Sequence, residues 1–312
     1  MKILALLISI IVIVISPLYG QIDISIDKIF QEGTIDNKIF FDIRLPRVLL
    51  AFFIGSILSL GGLIFQSVFK NPMATPFTLG VASGATLFTA LAIILGLSYL
   101  VSVFAFIGAL LTIVILFAIS KKFDFTQTSS LLLVGIALSF FYSAALMVLY
   151  FISNLEQSYE IMRFTMGSLD IVGFSNIYLV CTASLFLLIF VLFYKEKLQL
   201  LLTSYEFALL KGINVKRVNY ILLLVVSICV AIAVSIVGPI GFVGLIVPHI
   251  LKTVYKKSAH LLILPIYFYG GVFLVLCDLI ARNINTSSDV PIGVITSFIG
   301  APFFIYLIIK KK

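Results

Sequence analysis

Charge is what this sequence lacks most. Asp, Glu, Lys and Arg make up 11% of its 312 residues, against roughly a quarter in soluble domains, and the mean hydropathy is +1.25. A large soluble catalytic domain is thereby excluded. Histidine and cysteine are nearly as scarce. The two histidines, His249 and His260, have no carboxylate or thiol at metal-ligand spacing. The three cysteines, Cys181, Cys229 and Cys277, lie singly within apolar runs, without the close pairing of disulfide or zinc sites. Neither a metal site nor a cofactor is expected from this chain alone. A phosphate-binding loop of the G-x-x-x-x-G-K-S/T form is also missing, so whatever energy drives the protein comes from elsewhere.

What is present is apolar sequence. At 62% hydrophobic, the chain holds about 193 apolar positions, enough for about nine or ten spanning helices of roughly 20 residues. Runs cut at charges and at Pro or Gly fall near 3–19, 48–69, 76–98, 100–119, 129–151, 177–194, 220–237, 239–255, 261–281 and 291–309. The sequence therefore predicts an all-α polytopic membrane protein of about ten helices, with 1–312 forming a single transmembrane domain. The first run, with Lys2 ahead of Ile3 to Ile15, also has the form of a signal peptide, although Ser16 to Gly20 make a poor cleavage site. Ten spans with both termini cytoplasmic put 15 of the 21 basic residues inside with three acids, and six basic residues outside with ten acids. This agrees with the bias of Lys and Arg toward cytoplasmic loops.

Two loops exceed simple turns. The outer one, about 20–43, alternates polar and apolar residues and is expected to pack as a short element on the outer face. The inner one runs from Lys195 to Asn219, with an apolar-rich segment at 198–210 that breaks at Gly212 and resumes through Lys216 and Arg217. A helix, glycine turn and second helix there offer an apolar surface to a cytosolic partner, or lie in the lipid interface.

Several residues break the membrane pattern. Arg44, Arg47 and Arg282 are cations on the outer side, against the orientation bias. Local pairing is one reading, Asp42 with Arg44 or Arg47 and Asp278 with Arg282 at i,i+4. A docking surface for carboxylates of an external partner is the other, since guanidinium groups form forked bonds to them. Asp278 is the one acid well inside an expected span, which suits an ion pair better than a proton-driven carrier, because a carrier calls for paired acids or histidines. Lys70-Asn71-Pro72-Met73-Ala74-Thr75-Pro76 cannot continue a helix. Broken backbone at membrane depth is tolerated where it is buried in protein or lines a cavity, so this segment is a candidate constriction. Gly80 and Gly84 allow a close helix approach. Gly238 to His249 is a second Gly and Pro cluster, whose helix should be short and irregular. His249 within it reads as a capping or packing residue rather than a proton relay. No clustered set of polar catalytic residues is visible, so an embedded enzyme is not expected.

In order along the chain, these segments resemble the FecCD-like permease family, the membrane subunits of ATP-binding-cassette (ABC) importers for iron chelates, haem and cobalamin. The resemblance covers Arg44-Leu45-Pro46-Arg47, Asn71-Pro72-Met73-Ala74 with Leu79 to Ala85, Met166-Gly167-Ser168, and Gly238 to Leu245 running into Pro248-His249. It continues through Asp278 with Arg282, Pro291-Ile292-Gly293, and Gly300 to Phe304. It implies a type II ABC importer permease fold in the cytoplasmic (inner) membrane of a bacterium. The implied partners are a cytosolic ABC ATPase subunit, an extracytoplasmic substrate-binding protein and a second permease subunit, identical or paralogous, in a lipid bilayer without nucleic acid. By the same resemblance, Arg44, Arg47 and Arg282 would meet acidic groups of the binding protein. The coupling helices, about 198–219, would meet the ATPase through Leu201, Glu206, Ala208 and Gly212. Asn71, Pro72 and Met73 with Ser129 and Ser130 would line or gate the path. Lys211, where the family usually has an apolar residue, and the absence of a common arginine in the coupling segment are departures. The expected cargo is a ferric siderophore, with haem or cobalamin as alternatives.

Overall fold

A computed structural model of the chain describes residues 2–120, 128–203, 210–212, 214–284 and 289–310. Among these residues there are helices and connecting turns but no strand, which suits long apolar runs in a bilayer, since a helix satisfies its own backbone polar groups. We label the α-helices α1 Lys2–Ile15, α2 Ile26–Ile29, α3 Ile35–Lys38, α4 Leu45–Val68, α5 Val81–Ile94, α6 Val101–Ser120 and α7 Thr128–Ile152. They continue with α8 Leu155–Met166, α9 Ser175–Phe193, α10 Lys195–Thr203, α11 Val215–Val237, α12 Val243–Tyr255, α13 Ile263–Ile284 and α14 Ile292–Lys310.

Six stretches are long and apolar enough to cross a membrane: Ile35–Val68, Ser98–Ile119, Leu132–Ile152, Ser175–Phe193, Val215–Val237 and Ile263–Ile284. Four shorter apolar helices, Leu6–Leu18, Val81–Ile94, Val243–Tyr255 and Ile292–Tyr306, occupy the remaining segments expected from sequence. Ile35–Val68 is continuous because a π-helical segment, Ile39–Arg44, runs directly into α4, whose first turn carries Pro46. At 1.5 Å per residue its 34 residues measure about 51 Å, well beyond the roughly 30 Å of hydrocarbon. One end of this rod therefore stands clear of the apolar core.

The centre of the molecule is α4, buried along most of its length and packed against α9, α11, α12 and α13. Small residues make this possible. A Cβ on Gly62 would overlap the Gly244 carbonyl of α12, and one on Gly55 would overlap the Gly270 carbonyl of α13. The Ser56 and Ser59 hydroxyls donate to the carbonyls of Tyr267 and Ile266 at 2.9 and 3.0 Å, locking α4 to α13. Gly84 approaches Gly108 and Thr112 of α6, as expected of that glycine. Gly80 does something different: at φ +80° it sits in the left-handed region ahead of α5, where a side chain is strained. By contrast α7 is largely uncovered, with Phe140, Met147 and Phe151 exposed.

The two short helices α5 and α12, of 14 and 13 residues, are each about 20 Å long. Each is preceded by a non-helical segment. Pro76 packs beside Gly61, seven residues before the end of α4, so the Asn-Pro segment climbs back roughly 10 Å along that helix. Residues 238–242 do the same ahead of α12, whose Gly244 lies against Leu58 and Gly62 of α4.

Candidate functional site

The two non-helical segments face a common groove of about 870 Å³. Met73, Thr75, Phe77 and Thr78 line it from the first segment, Pro239, Gly241 and Phe242 from the second, Thr165 and Met166 from the end of α8, and Gly293, Ser297, Phe298 and Phe304 from α14. Among the described residues, no charged one is in its lining. The Asn-Pro segment is held in shape locally. Asn71 Oδ1 accepts the Met73 N–H at 2.9 Å, and Thr75 and Thr78 bond to one another reciprocally through hydroxyl and backbone N–H. Of the expected gate residues Met73 lines the groove, while Asn71 and Pro72 shape the turn before it. Ser129 and Ser130 belong to the first turn of α7.

At one end, the arginine end, the groove stops at a seam of backbone. The Ser168 N–H donates to the Val237 carbonyl at 2.8 Å, and the Ile292 N–H to the Gly167 carbonyl at 3.2 Å. A Cβ on Gly238 would overlap the Phe164 carbonyl, and one on Gly293 the Met166 carbonyl. The motifs around Gly167, Gly238 and Gly293, far apart in sequence, are thus one structure.

Beside the seam lies an ionic cluster. Arg47 donates through Nε to Asp278 at 2.8 Å, and through Nη1 to Asp170 at 2.9 Å and to Asp289. Asp278 is fully buried, and its other oxygen faces Arg282 Nε at 3.0 Å, an ion pair off the hydrogen-bonding line. Asp170 also accepts from the Ser168 hydroxyl at 2.7 Å and from Arg163 at 3.2 Å. Burial opposes its ionisation, but the Ser168 hydrogen bond and the Arg47 and Arg163 guanidiniums together hold its carboxyl below the usual range. Three arginines and three aspartates balance.

The three predicted docking arginines are together at this end, but their guanidiniums point inward, and only 4 to 7% of each residue is exposed. Arg282 pairs with Asp278 at i,i+4 as the sequence allows, and also donates to Ser16 and Tyr19. Asp42 is not the partner of Arg44 or Arg47. Arg44 donates instead to the Pro17, Leu18 and Ile22 carbonyls, because the chain after α1 wraps over it. Sequence reasoning missed Asp170, Asp289 and Arg163. Their one signal is adjacency to motifs, Asp170 two residues after Ser168 and Asp289 two before Pro291.

At the opposite end, the lysine end, Lys252 Nζ donates to Gln66 Oε1 at 3.1 Å, and Gln66 Nε2 to the Gly244 carbonyl at 3.1 Å, tying α12 to α4. The expected coupling segment lies there, between α10 and α11. Leu201 lies in α10 with its side chain buried. Gly212, at φ +75°, makes the predicted turn with open space around it. Leu210 and Lys211 beside it are exposed. Glu206 and Ala208 lie outside the described residues.

Comparison with known proteins fits this arrangement. A family model described as the FecCD transport family matches residues 6–310. The hemin transport system permease protein of Yersinia pestis is 35% identical over 303 residues, covering 94% of this chain and 90% of the relative. The cobalamin import system permease protein of Halobacterium salinarum is 38% identical over 279 residues, covering 86% and 73%. Among solved structures, that of a metal-chelate type ABC transporter in an inward-facing conformation superposes with a TM-score of 0.88 at 29% identity, covering 97% of both chains. The fold is that of type II ABC importer permeases, and the chain is a multi-pass protein of the inner membrane. The chain belongs to the FecCD transport family: it is the permease subunit of an ABC importer, a transport component rather than an enzyme, working with an ATPase and a substrate-binding protein.

Proposed function

We propose that this permease moves an iron chelate, a ferric siderophore, through the groove between its two broken segments. The observation that carries the reading is the groove itself. At about 870 Å³ it has the size of a pocket for a compact organic ligand, and its lining of apolar and hydroxyl groups has no charge to hold the cargo. Weak contacts suit a path, because a cargo bound tightly there is not released. Specificity then resides in the binding protein that delivers it. One solved structure that this chain resembles, at a TM-score of 0.88, is that of a metal-chelate type ABC transporter. Haem or cobalamin is the second reading, favoured by the names of the two relatives at 35 and 38% identity.

In this reading the whole chain, 1–312, is one permease domain with ten crossings. Its lysine end and both termini face the cytoplasm, as the distribution of basic residues supports. The groove is completed by a second, identical permease, and the exposed apolar residues of α7 meet lipid. The binding protein docks on the arginine end, where Arg44, Arg47 and Arg282 hold the rim together from within. The ATPase grips the segment around Leu201, Glu206, Ala208 and Gly212, with exposed Leu210 at its tip. Asn71, Pro72 and Met73, with Ser129 and Ser130, form the inner gate. Uptake of radiolabelled iron as a panel of chelates and as haem, and of labelled cobalamin, by cells with and without the gene tests the cargo. Loss of one chelate's uptake on deletion supports the proposal, and loss of cobalamin or haem uptake alone replaces it.

A further inference from the structure

The arginine end of the groove is walled by two elements, the end of α8 with Thr165 and Met166, and the start of α14 with Gly293 and Ser297. Each carries an aspartate just beyond the wall, Asp170 four residues after Met166 and Asp289 four before Gly293. Both carboxylates converge on one atom, Nη1 of Arg47. Arg47 itself belongs to the α4–α13 pair, which the Ser56 and Ser59 hydroxyls and the Arg47–Asp278 bond lock together.

The three carboxylates differ in their access to water. Asp278 is 0% exposed, Asp289 25% and Asp170 37%. A dry pair is expensive to break, since it strands a buried charge, whereas water replaces a half-exposed partner at little cost. The two exposed carboxylates also have second partners. Asp170 is held by Ser168 and Arg163, and Asp289 Oδ1 accepts from Gln21 at 2.8 Å. Released from Arg47, neither is left unsatisfied. A polar pocket of about 100 Å³, lined by Arg47, Arg163, Asp170 and Asp289, already brings space to the junction.

We propose that Asp170 and Asp289 are positioning residues for transport. Through Arg47 they tie both walls of the groove's arginine end to the fixed α4–α13 pair, and their release opens that end. The inference rests on the groove being the transport path.

The test uses the assembled transporter with its ATPase, in membrane vesicles of either orientation, carrying Ser297→Cys in a Cys181→Ser background, since Cys229 and Cys277 are buried. A charged, membrane-impermeant maleimide reports which face reaches the groove. The parent is expected to label from the lysine side. Asp170→Asn with Asp289→Asn should raise labelling from the arginine side about tenfold, as a shift toward the open population, and Asp170→Glu with Asp289→Glu should return it toward the parent rate. Unchanged arginine-side labelling in a transporter that still labels from the lysine side overturns the tie but leaves the path. Labelling from neither face in the parent overturns the path reading, and the tie with it. Should the double variant fail to assemble, Asp170→Asn alone, at the most exposed of the three carboxylates, carries the same expectation.

Discussion

Arg47 shows how one side chain organises a membrane rim. Its guanidinium is 8% exposed and serves three carboxylates from distant parts of the chain. Arg47→Met removes one of the two partners of the buried Asp278 and leaves it with Arg282 alone, so unfolding of the purified permease should become easier, by at most about 3–5 kcal/mol, read as a drop in Tm in detergent. Arg47→Lys should recover only part of the loss, because an ammonium cannot reproduce the spread of Nε and Nη1. Asp170 responds differently, being half in water. Its carboxyl titrates below its ordinary 3.8 in the folded protein, so its contribution to stability is complete above that pH and is lost as pH falls through the lowered value. The Tm difference between the parent and Asp170→Asn should be constant through neutral pH and close only below 3.8. A difference that vanished near pH 7 would contradict the assignment.

Elements follow the rule that backbone inside a bilayer leaves the helix only where protein covers it or a cavity begins. The prolines and Asn71 made the first break legible from the sequence, and Gly238 with Pro239 the second. Their convergence on one groove was not legible, because it depends on how far each non-helical segment returns along α4. The ion pair Asp278–Arg282 was readable at a spacing of four residues. The partners of Arg47 stand 123, 231 and 242 residues away, and no local pattern reports such distances. Close packing around α4 makes a sharp prediction: Gly62→Val drives a side chain into the Gly244 carbonyl and should destabilise by about 3 kcal/mol or more, seen as lost yield of folded protein. In the segment proposed to couple to the ATPase, Leu210 is 85% exposed, so Leu210→Glu should leave Tm unchanged while reducing the ATPase that copurifies. Full retention of the ATPase would remove the tip from the contact.

In the whole molecule a seam and ionic cluster stand at one end, a groove lined among the described residues by apolar and hydroxyl groups lies between them and the lysine end, and the segment proposed to face the ATPase lies beyond. An importer of this kind changes which end is open when its partners bind, and the binding free energy of ATP and of the loaded binding protein biases that equilibrium. Composition alone indicated the membrane and the scarcity of charge in the path, whereas the cargo is not written in a lining that makes only weak contacts. The most direct measurement is uptake of a radiolabelled ferric chelate into proteoliposomes holding the permease and its ATPase, with binding protein outside, comparing the parent with Ser297→Trp, which puts a bulky ring into the groove. The account predicts ATP-dependent, vanadate-sensitive accumulation that Ser297→Trp abolishes while the complex stays assembled. Accumulation that survives Ser297→Trp, or that yields to an uncoupler and ignores vanadate, would contradict it.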